Sequence, residues 1–128
     1  MTELELTYPP SVNNYYTKWC QYVQKASKHV VKVAVGDRGM AYRAEVRRYK
    51  LVNLHNPQPL KGRLSMECQL WAPDRRKQHY NIDNFLKCLL DAITYAGIWI
   101  DDDQVDVLLI HKRGVEAPGR IIVTLREI

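Results

Sequence analysis

The residues best suited to chemistry fall in two short stretches. The first is Asn81-Ile82-Asp83-Asn84-Phe85-Leu86-Lys87, where amide, carboxylate and ammonium groups precede an apolar segment. The second is Ile98-Trp99-Ile100-Asp101-Asp102-Asp103-Gln104-Val105, three carboxylates on the end of an apolar run. In extended backbone, residues two apart project to the same side, so Asn81 and Asp83 can address one point. Continued as a helix, Asp83, Lys87 and Asp91 form a polar stripe with successive members about 40° apart around the axis. Three adjacent carboxylates repel one another, and a bound cation relieves them. Hard divalent ions such as Mg²⁺ take oxygen ligands, commonly one or two carboxylates with substrate phosphate and water. Such an ion assists in-line displacement at phosphorus, and a lysine one helical turn away can neutralise phosphate charge. Each feature also has an ordinary structural reading. An Asp near a helix N-terminus is favourable with the dipole, an Asp–Lys pair at i, i+4 is a common surface contact, and three Asp residues make a hydrophilic turn. The two readings part on whether the stretches meet in space.

The elements that must position them can be read from the pattern. Ile82, Phe85, Leu86, Leu89, Leu90, Ile93 and Ala96 recur at helical spacing, and Gly97 supplies a stop. Leu64, Met66, Cys68 and Leu70 alternate in a strand over Arg63–Trp71. Leu4 and Leu6 alternate in a first strand ended by Pro9-Pro10, with Ser11–Tyr16 as a loop. Tyr22–Lys28 is ambiguous, and His29–Val35 reads as a short strand or an extended arm. A helix follows from about Arg38 to Leu54, capped by Asp37, with Tyr42, Val46, Tyr49 and Val52 on one face and Arg43, Arg47, Arg48 and Lys50 on the other. Ala72–Asn81 reads as a loop. Val105, Val107 and Leu109 alternate in a strand reaching about Arg113, and Arg120–Leu125 returns as its antiparallel neighbour. The expected fold is α/β (α+β): a small single domain over residues 1–128, with a mixed sheet and two main helices.

Composition bounds the rest. A chain of 128 residues with 46% hydrophobic content suits one packed core. No apolar run is long enough to span a bilayer, and the acidic, apolar-poor N-terminus does not read as a signal peptide. The expected compartment is the cytoplasm. Three cysteines without a CxxC spacing argue against a disulfide framework or zinc site and for buried free thiols. The net charge of +5 suits a polyanionic partner. The four scattered histidines carry no motif, and His79, nearest the acidic stretch, reads as surface.

In these stretches the chain resembles the RusA-type Holliday-junction resolvases, small phage and prophage endonucleases. The likeness covers most of the chain. It is strongest in Pro73-Asp74-Arg75-Arg76, in Ile82-Asp83-Asn84-Phe85-Leu86-Lys87 and from Asp91 to Val105, with Pro9-Pro10-Ser11-Val12-Asn13-Asn14-Tyr15 matching an early family segment. Ala41-Tyr42-Arg43 carries a looser match in the first helix. The resemblance implies a metal site built from the pattern Asp-x-Asp-Asn, a lysine three residues later, and the second Asp of Asp-Asp-x-Gln-Val. Carried over, these fall on Asp83, Asn84, Lys87 and Asp102. The pattern's first Asp is Asn81 here, which keeps a carbonyl acceptor and loses a charge. We read this as an Asp-to-Asn change made to trap an inactive protein on DNA, or else as a natural variant with reduced cleavage.

The implied catalytic set is therefore Asn81, Asp83, Lys87 and Asp102, with Asn81, Asp83 and Asp102 holding Mg²⁺ (Mn²⁺ as a substitute). The implied substrate is a four-way DNA junction, cut symmetrically by a homodimer whose two-fold axis supplies matched sites. Candidate DNA contacts are Arg75, Arg76, Lys77 and Lys87, with Asn13, Asn14 and Tyr15 at the backbone or stacked on exposed bases. The competing functions are a non-catalytic branched-DNA-binding protein and a phosphohydrolase acting on RNA or nucleotides.

Overall fold

The strict alternation of Leu64-Ser65-Met66-Glu67-Cys68-Gln69-Leu70-Trp71-Ala72 makes the central strand. Every second side chain is buried and the intervening ones are half-covered. In the computed structural model, residues 1–11, 16–23, 28–55, 58–78 and 82–128 are described. Their elements run β1 (Thr2–Thr7), β2 (Tyr16–Val23), β3 (Lys28–Val35), α1 (Asp37–Asn53), β4 (Leu64–Ala72), α2 (Arg75–Gln78), α3 (Leu86–Ala96), a 3₁₀ turn (Asp102–Gln104), β5 (Val105–Val115) and β6 (Arg120–Glu127). Four strands form a mixed sheet in the order β1-β6-β4-β5. β1 and β4 flank β6 antiparallel, and β5 runs parallel to β4. A small α/β domain with a mixed sheet is what the pattern predicts.

One face of the sheet is dry. Leu4 and Leu6 of β1, Leu64, Met66 and Cys68 of β4 and Ile121, Val123 and Leu125 of β6 meet Leu89, Ala92 and Ile93 of α3 and Val46 of α1 in one core. Tyr42 and Tyr49 fasten α1 to β1. The Tyr42 hydroxyl donates to the Thr7 carbonyl at 3.0 Å, and the Tyr49 hydroxyl accepts the Glu5 N–H at 3.1 Å. Lys50 reaches from α1 to the Gly97 carbonyl at 3.1 Å, beyond the end of α3. Gly97 itself has φ +74°, the left-handed geometry that ends a helix and that a side chain would strain. Cys68 and Cys88 are buried free thiols, each pushed up to about 12 chiefly by burial. That agrees with the expectation for these two, and the Cys20 side chain lies outside the described environments.

Several expectations need correction. The region from Tyr16 is not simply a loop but strand β2, which pairs antiparallel with β3 in a separate two-stranded sheet, and of the two readings of His29–Val35 the strand holds. β5 and β6 run in opposite directions but do not pair. The turn between them crosses the end of β4, where Glu116 N–H donates to the Ala72 carbonyl at 2.9 Å, and β4 takes the place between the two strands. Gly36, not Asp37, is the N-cap of α1, and Val52 faces solvent. Within the basic stretch, Arg75, Arg76 and Lys77 form the one-turn helix α2, whose Lys77 N–H donates to the Asp74 carboxylate at 2.8 Å. Finally, α3 begins at Leu86. Asp83 lies in the turn before it, with its carbonyl accepting the Leu86 N–H at 3.2 Å, and Ile82 is exposed rather than in the core.

A register shift in β5 accounts for one more difference. Val105 pairs with Leu64 but Val107 pairs with Ser65, so Asp106 is an extra residue on β5. Past it, Leu108 and Ile110 fall opposite Met66 and Cys68, while Val107 and Leu109 fall opposite Ser65 and Glu67. The expected Val105–Val107–Leu109 face therefore splits, and Val107 and Leu109 stand on the side of the sheet away from the helices.

Candidate active site

The start of α3 and the 3₁₀ turn are brought together by the chain that joins them. After Gly97, Ile98 and Trp99 dive into the core, where Trp99 is fully buried. Its indole N–H donates to the Thr94 hydroxyl at 2.6 Å, which returns the chain along α3. The Ile98 carbonyl accepts the Leu60 N–H at 2.9 Å, and Leu60 forms a parallel bridge with Trp99. The 3₁₀ turn then packs against α3, and the Asp102 carboxyl comes within electrostatic reach of Lys87 and Asp91.

Gln104 holds this turn in place. It is the one polar side chain buried among the described residues, and its amide is fully used. Its Oε1 accepts the N–H groups of Ile100 at 2.8 Å and Asp101 at 3.0 Å. Its Nε2 donates to the carbonyls of Leu60 and Gly62, both at 2.9 Å. Four hydrogen bonds from one side chain lock the acidic turn to the segment leading into β4. Gln104 stands within the Asp-Asp-x-Gln-Val motif, yet sequence reasoning gives it no role. The available signal was a neutral amide, between carboxylates and an apolar strand, whose two ends can serve donors and acceptors at once.

The electrostatics centre on Asp102. Burial pushes its carboxyl above the usual range, and the adjoining Asp101 carboxyl and the charge of Asp91 add to this. Lys87 works in the opposite direction. The Lys87 ammonium lies 3.1 Å from Asp91 Oδ1, and Arg43 of α1 approaches Asp91 Oδ2 at 4.0 Å. The guanidinium of Arg43 also sits over the Tyr95 ring, 5.3 Å from its centroid. Beside the turn, Arg63 forms a forked pair with the Asp106 carboxylate, its Nε 3.0 Å from Oδ2, and donates to the Asp103 carbonyl at 2.6 Å. This pairing keeps the Asp106 carboxyl below the ordinary range.

The expected residues distribute as follows. Lys87 is paired with Asp91, and the packing of the 3₁₀ turn on α3 puts Asp102 within electrostatic reach of both. Asp83 is exposed in the turn that leads into α3. Arg75 and Arg76 are exposed on α2, while Lys77 is half-buried with its ammonium 6.0 Å from the centroid of the Tyr8 ring. That ring belongs to a cavity of about 320 Å³ whose lining includes Pro9, Pro10, Arg38 and Tyr42. Asn81, Asn13, Asn14, Tyr15 and His79 lie outside the described residues.

Among the described residues, no group of three or more His, Cys, Asp or Glu side chains forms a metal cage. The donor chemistry nonetheless fits a hard divalent ion. Asp102 is a carboxylate disfavoured by burial and by carboxyl neighbours, and Mg²⁺ commonly needs only one or two protein carboxylates. Among the described residues, no helix is long and apolar enough to cross a membrane.

Comparison with known proteins matches residues 7–126 to the family described as "Endodeoxyribonuclease RusA". The chain is 34% identical over 127 residues to the Escherichia coli protein named crossover junction endodeoxyribonuclease RusA, an overlap covering 97% of this chain and 92% of that one. Proteins of the same name from Enterobacteria phage 82 and Shigella sonnei are each 33% identical over the same 127 residues, 97% of this chain and 92% of theirs.

Proposed function

The chain belongs to the RusA family of endodeoxyribonucleases, and on that premise we propose that it is a Mg²⁺-dependent, structure-selective endonuclease that resolves four-way DNA junctions by paired symmetric nicks. The observation that carries the reading is the packing of the 3₁₀ turn on α3, which sets Asp102, from one stretch singled out by its chemistry, within electrostatic reach of Lys87 from the other.

Asp83 and Asp102, with the side-chain carbonyl of Asn81, would hold the ion. When bound, a divalent ion supplies charge stabilisation at phosphorus and activates water. The remaining work falls to the chain itself. Burial of Asp102 beside Asp101 and Asp91 concentrates negative charge at a point that a cation relieves. Lys87 offers a positive charge to the non-bridging oxygens of the scissile phosphate, where negative charge builds in the transition state. Gln104 ties the backbone just before Asp102 to the segment leading into β4, which limits how far the acidic turn must reorganise when DNA arrives. Arg75, Arg76 and Lys77 on α2, just upstream of Asp83, supply phosphate contacts that position the junction without reading its sequence. Asn13, Asn14 and Tyr15 follow the buried Pro9 and would reach the backbone or the exposed bases near the crossover.

Symmetric cutting requires two sites, which a homodimer provides. The outer strand β5 supports this, since Val107, Leu108 and Leu109 are 51%, 42% and 50% exposed on a sheet edge that no described strand pairs. A second copy would cover that edge and its apolar side chains. The protein would act on DNA in the cytoplasm of a bacterial host, a reading in keeping with relatives from bacteria and phages.

Asn81 favours a second reading for this particular chain. A neutral amide weakens a divalent site more than it weakens phosphate contacts, so the chain binds junctions and cleaves them poorly. A synthetic four-way junction assayed for binding and for nicking in Mg²⁺, with and without Asn81→Asp, tests both. Gain of paired nicking on Asn81→Asp supports the nuclease. Tight binding without nicking in either protein leaves only branched-DNA binding, and preference for RNA or nucleotides overturns the assignment.

A further inference from the structure

The looser family match Ala41-Tyr42-Arg43 has no role in the site as assigned above, and Asp91 enters it only as a charge near Asp102, yet the two meet beside it. Asp91 sits one helical turn beyond Lys87 on α3, and its carboxylate is divided between two cations. Oδ1 takes the Lys87 ammonium at 3.1 Å, and Oδ2 faces Arg43 Nη2 at 4.0 Å. A solvated i, i+4 pair is ordinary and weak. This one differs in two ways. The Asp91 side chain is only 21% exposed, against 51% for Lys87, so the anchor is largely sheltered while the ammonium end is open. The second cation comes from another helix, and Arg43 is itself fixed over the Tyr95 ring.

We propose that Asp91 is a positioning residue for the nuclease site: held by Arg43 of α1, its carboxylate fixes the Lys87 ammonium beside Asp102. A lysine on a four-carbon stem carries much rotamer freedom. An ammonium has three N–H donors, and a bond from one of them to a sheltered acceptor sets the direction of the others. Lys87 is thereby aimed at the acidic turn before any phosphate arrives, which lowers the ordering cost at the transition state. Arg43 keeps the arrangement one-sided. Without a second cation, Asp91 would lean on Lys87 alone and would compete with the phosphate for the same lysine. The α1–α3 packing thus does more than fill the core, because it delivers the guanidinium that anchors the anchor.

The inference rests on the nuclease reading, so its test has two arms, only one of which needs cleavage. The first uses the full chain carrying Asn81→Asp and compares it with the same chain also carrying Asp91→Ala, Asp91→Glu or Arg43→Gln. Single-turnover nicking of a synthetic four-way junction in Mg²⁺ should fall by about 10- to 100-fold for Asp91→Ala, the scale expected for a misplaced catalytic group. Junction affinity without divalent ions should change by no more than about threefold, because removing a phosphate contact would weaken binding instead. Asp91→Glu should recover part of the rate, which a merely structural loss would not allow.

The second arm measures the acylation rate of Lys87 by an amine-reactive reagent, read by mass spectrometry, in the unmodified chain and in each variant. Asp91→Ala and Arg43→Gln should both speed labelling of Lys87 while leaving Lys112 unchanged. If Lys87 labels at the same rate in all of them, the positioning role is overturned whatever happens to nicking. Should Asp91→Ala not fold, as judged by its melting transition, Arg43→Gln carries the same comparison. A parent that neither binds nor nicks junctions overturns the nuclease reading, and the labelling arm then still decides whether Asp91 holds Lys87.

Discussion

The side chain of Gln104 grips the backbone of Asp101: its Oε1 accepts the Asp101 N–H at 3.0 Å while its Nε2 donates to the Gly62 carbonyl at 2.9 Å. The acidic turn is thus tied to the entry of the central strand through a single buried amide. Replacing it by a residue of similar size, Gln104→Leu, leaves two N–H groups and two carbonyls without their partner in a sheltered place. Each such group costs about 1–3 kcal/mol when it stays unsatisfied. Partial access of water to the ends of the turn lowers the sum, and the expected loss is at least about 2 kcal/mol in denaturant unfolding. A loss near zero would mean that the turn holds its shape without Gln104.

Arg63 and Asp106 give a pH dependence with a definite sign. The pairing depresses the Asp106 carboxyl, so the folded state holds it ionised to lower pH than the unfolded chain does. Its contribution is therefore present in full above the unfolded value near pH ~4 and is lost as pH falls through the lower folded value. The melting temperature of the unmodified chain should exceed that of Asp106→Asn by a constant margin at neutral pH. That margin should close in acid. A difference that grew on acidification would reverse the assignment, and both groups are exposed, so the margin should also shrink with added salt.

Mg²⁺ should stabilise the fold through Asp102. A ligand that binds only the native state raises stability as its concentration passes its dissociation constant. Titrating Mg²⁺ while following thermal unfolding should raise the melting temperature of the unmodified chain, raise it further for Asn81→Asp, and leave Asp102→Asn flat. Equal shifts in all three proteins would place the ion elsewhere.

Junction affinity should fall steeply with salt, and α2 should account for part of the slope. Each phosphate contact removed lowers the slope of log affinity against log salt by about one. Arg75→Ala and Arg76→Ala should each do so while weakening binding to junctions of different sequence alike. An unchanged slope would return these exposed side chains to the role of a solvated helix.

The parts of the fold legible in the sequence were those with an uninterrupted period. β4 alternates without exception, and the leucine-rich spacing of α3 continues to a glycine stop, so both stand where the pattern puts them. Boundaries were less legible. Asp83 and Ile82 fit the helical spacing of α3, yet the chain enters it through a turn, because spacing alone does not say where hydrogen bonding begins. The pairing of β5 was hidden by the extra residue Asp106, which moves every following side chain to the other face, and by β4, which reaches its place between β5 and β6 only through tertiary contacts. Near the candidate site, Lys87 and Asp102 stood out in the sequence because each is charged at the edge of an apolar run. Gln104 and Arg43 did not, since part of their importance lies in partners 42 or more residues away, Gly62 for Gln104 and Asp91 for Arg43.

The open face of β5 yields the last expectation. Beyond Asp106, Val107 and Leu109 share the side of the sheet away from the helices, next to the half-buried His111, which lies 3.5 Å from Glu67. An apolar pair on an outer strand is a liability for a protein that remains alone, and pairing by a second copy removes it. A two-fold arrangement brings each residue against the same strand of its mate, so one substitution acts twice. Leu109→Lys should therefore convert a dimer to a monomer in sedimentation at micromolar concentration, and Val107→Lys should do the same. If the Asn81→Asp chain nicks both strands of a junction in concert, the Leu109→Lys form of that chain should release singly nicked junctions, since one site no longer accompanies the other. Dimers that persist through both lysines would show that β5 faces solvent and that another surface joins the subunits.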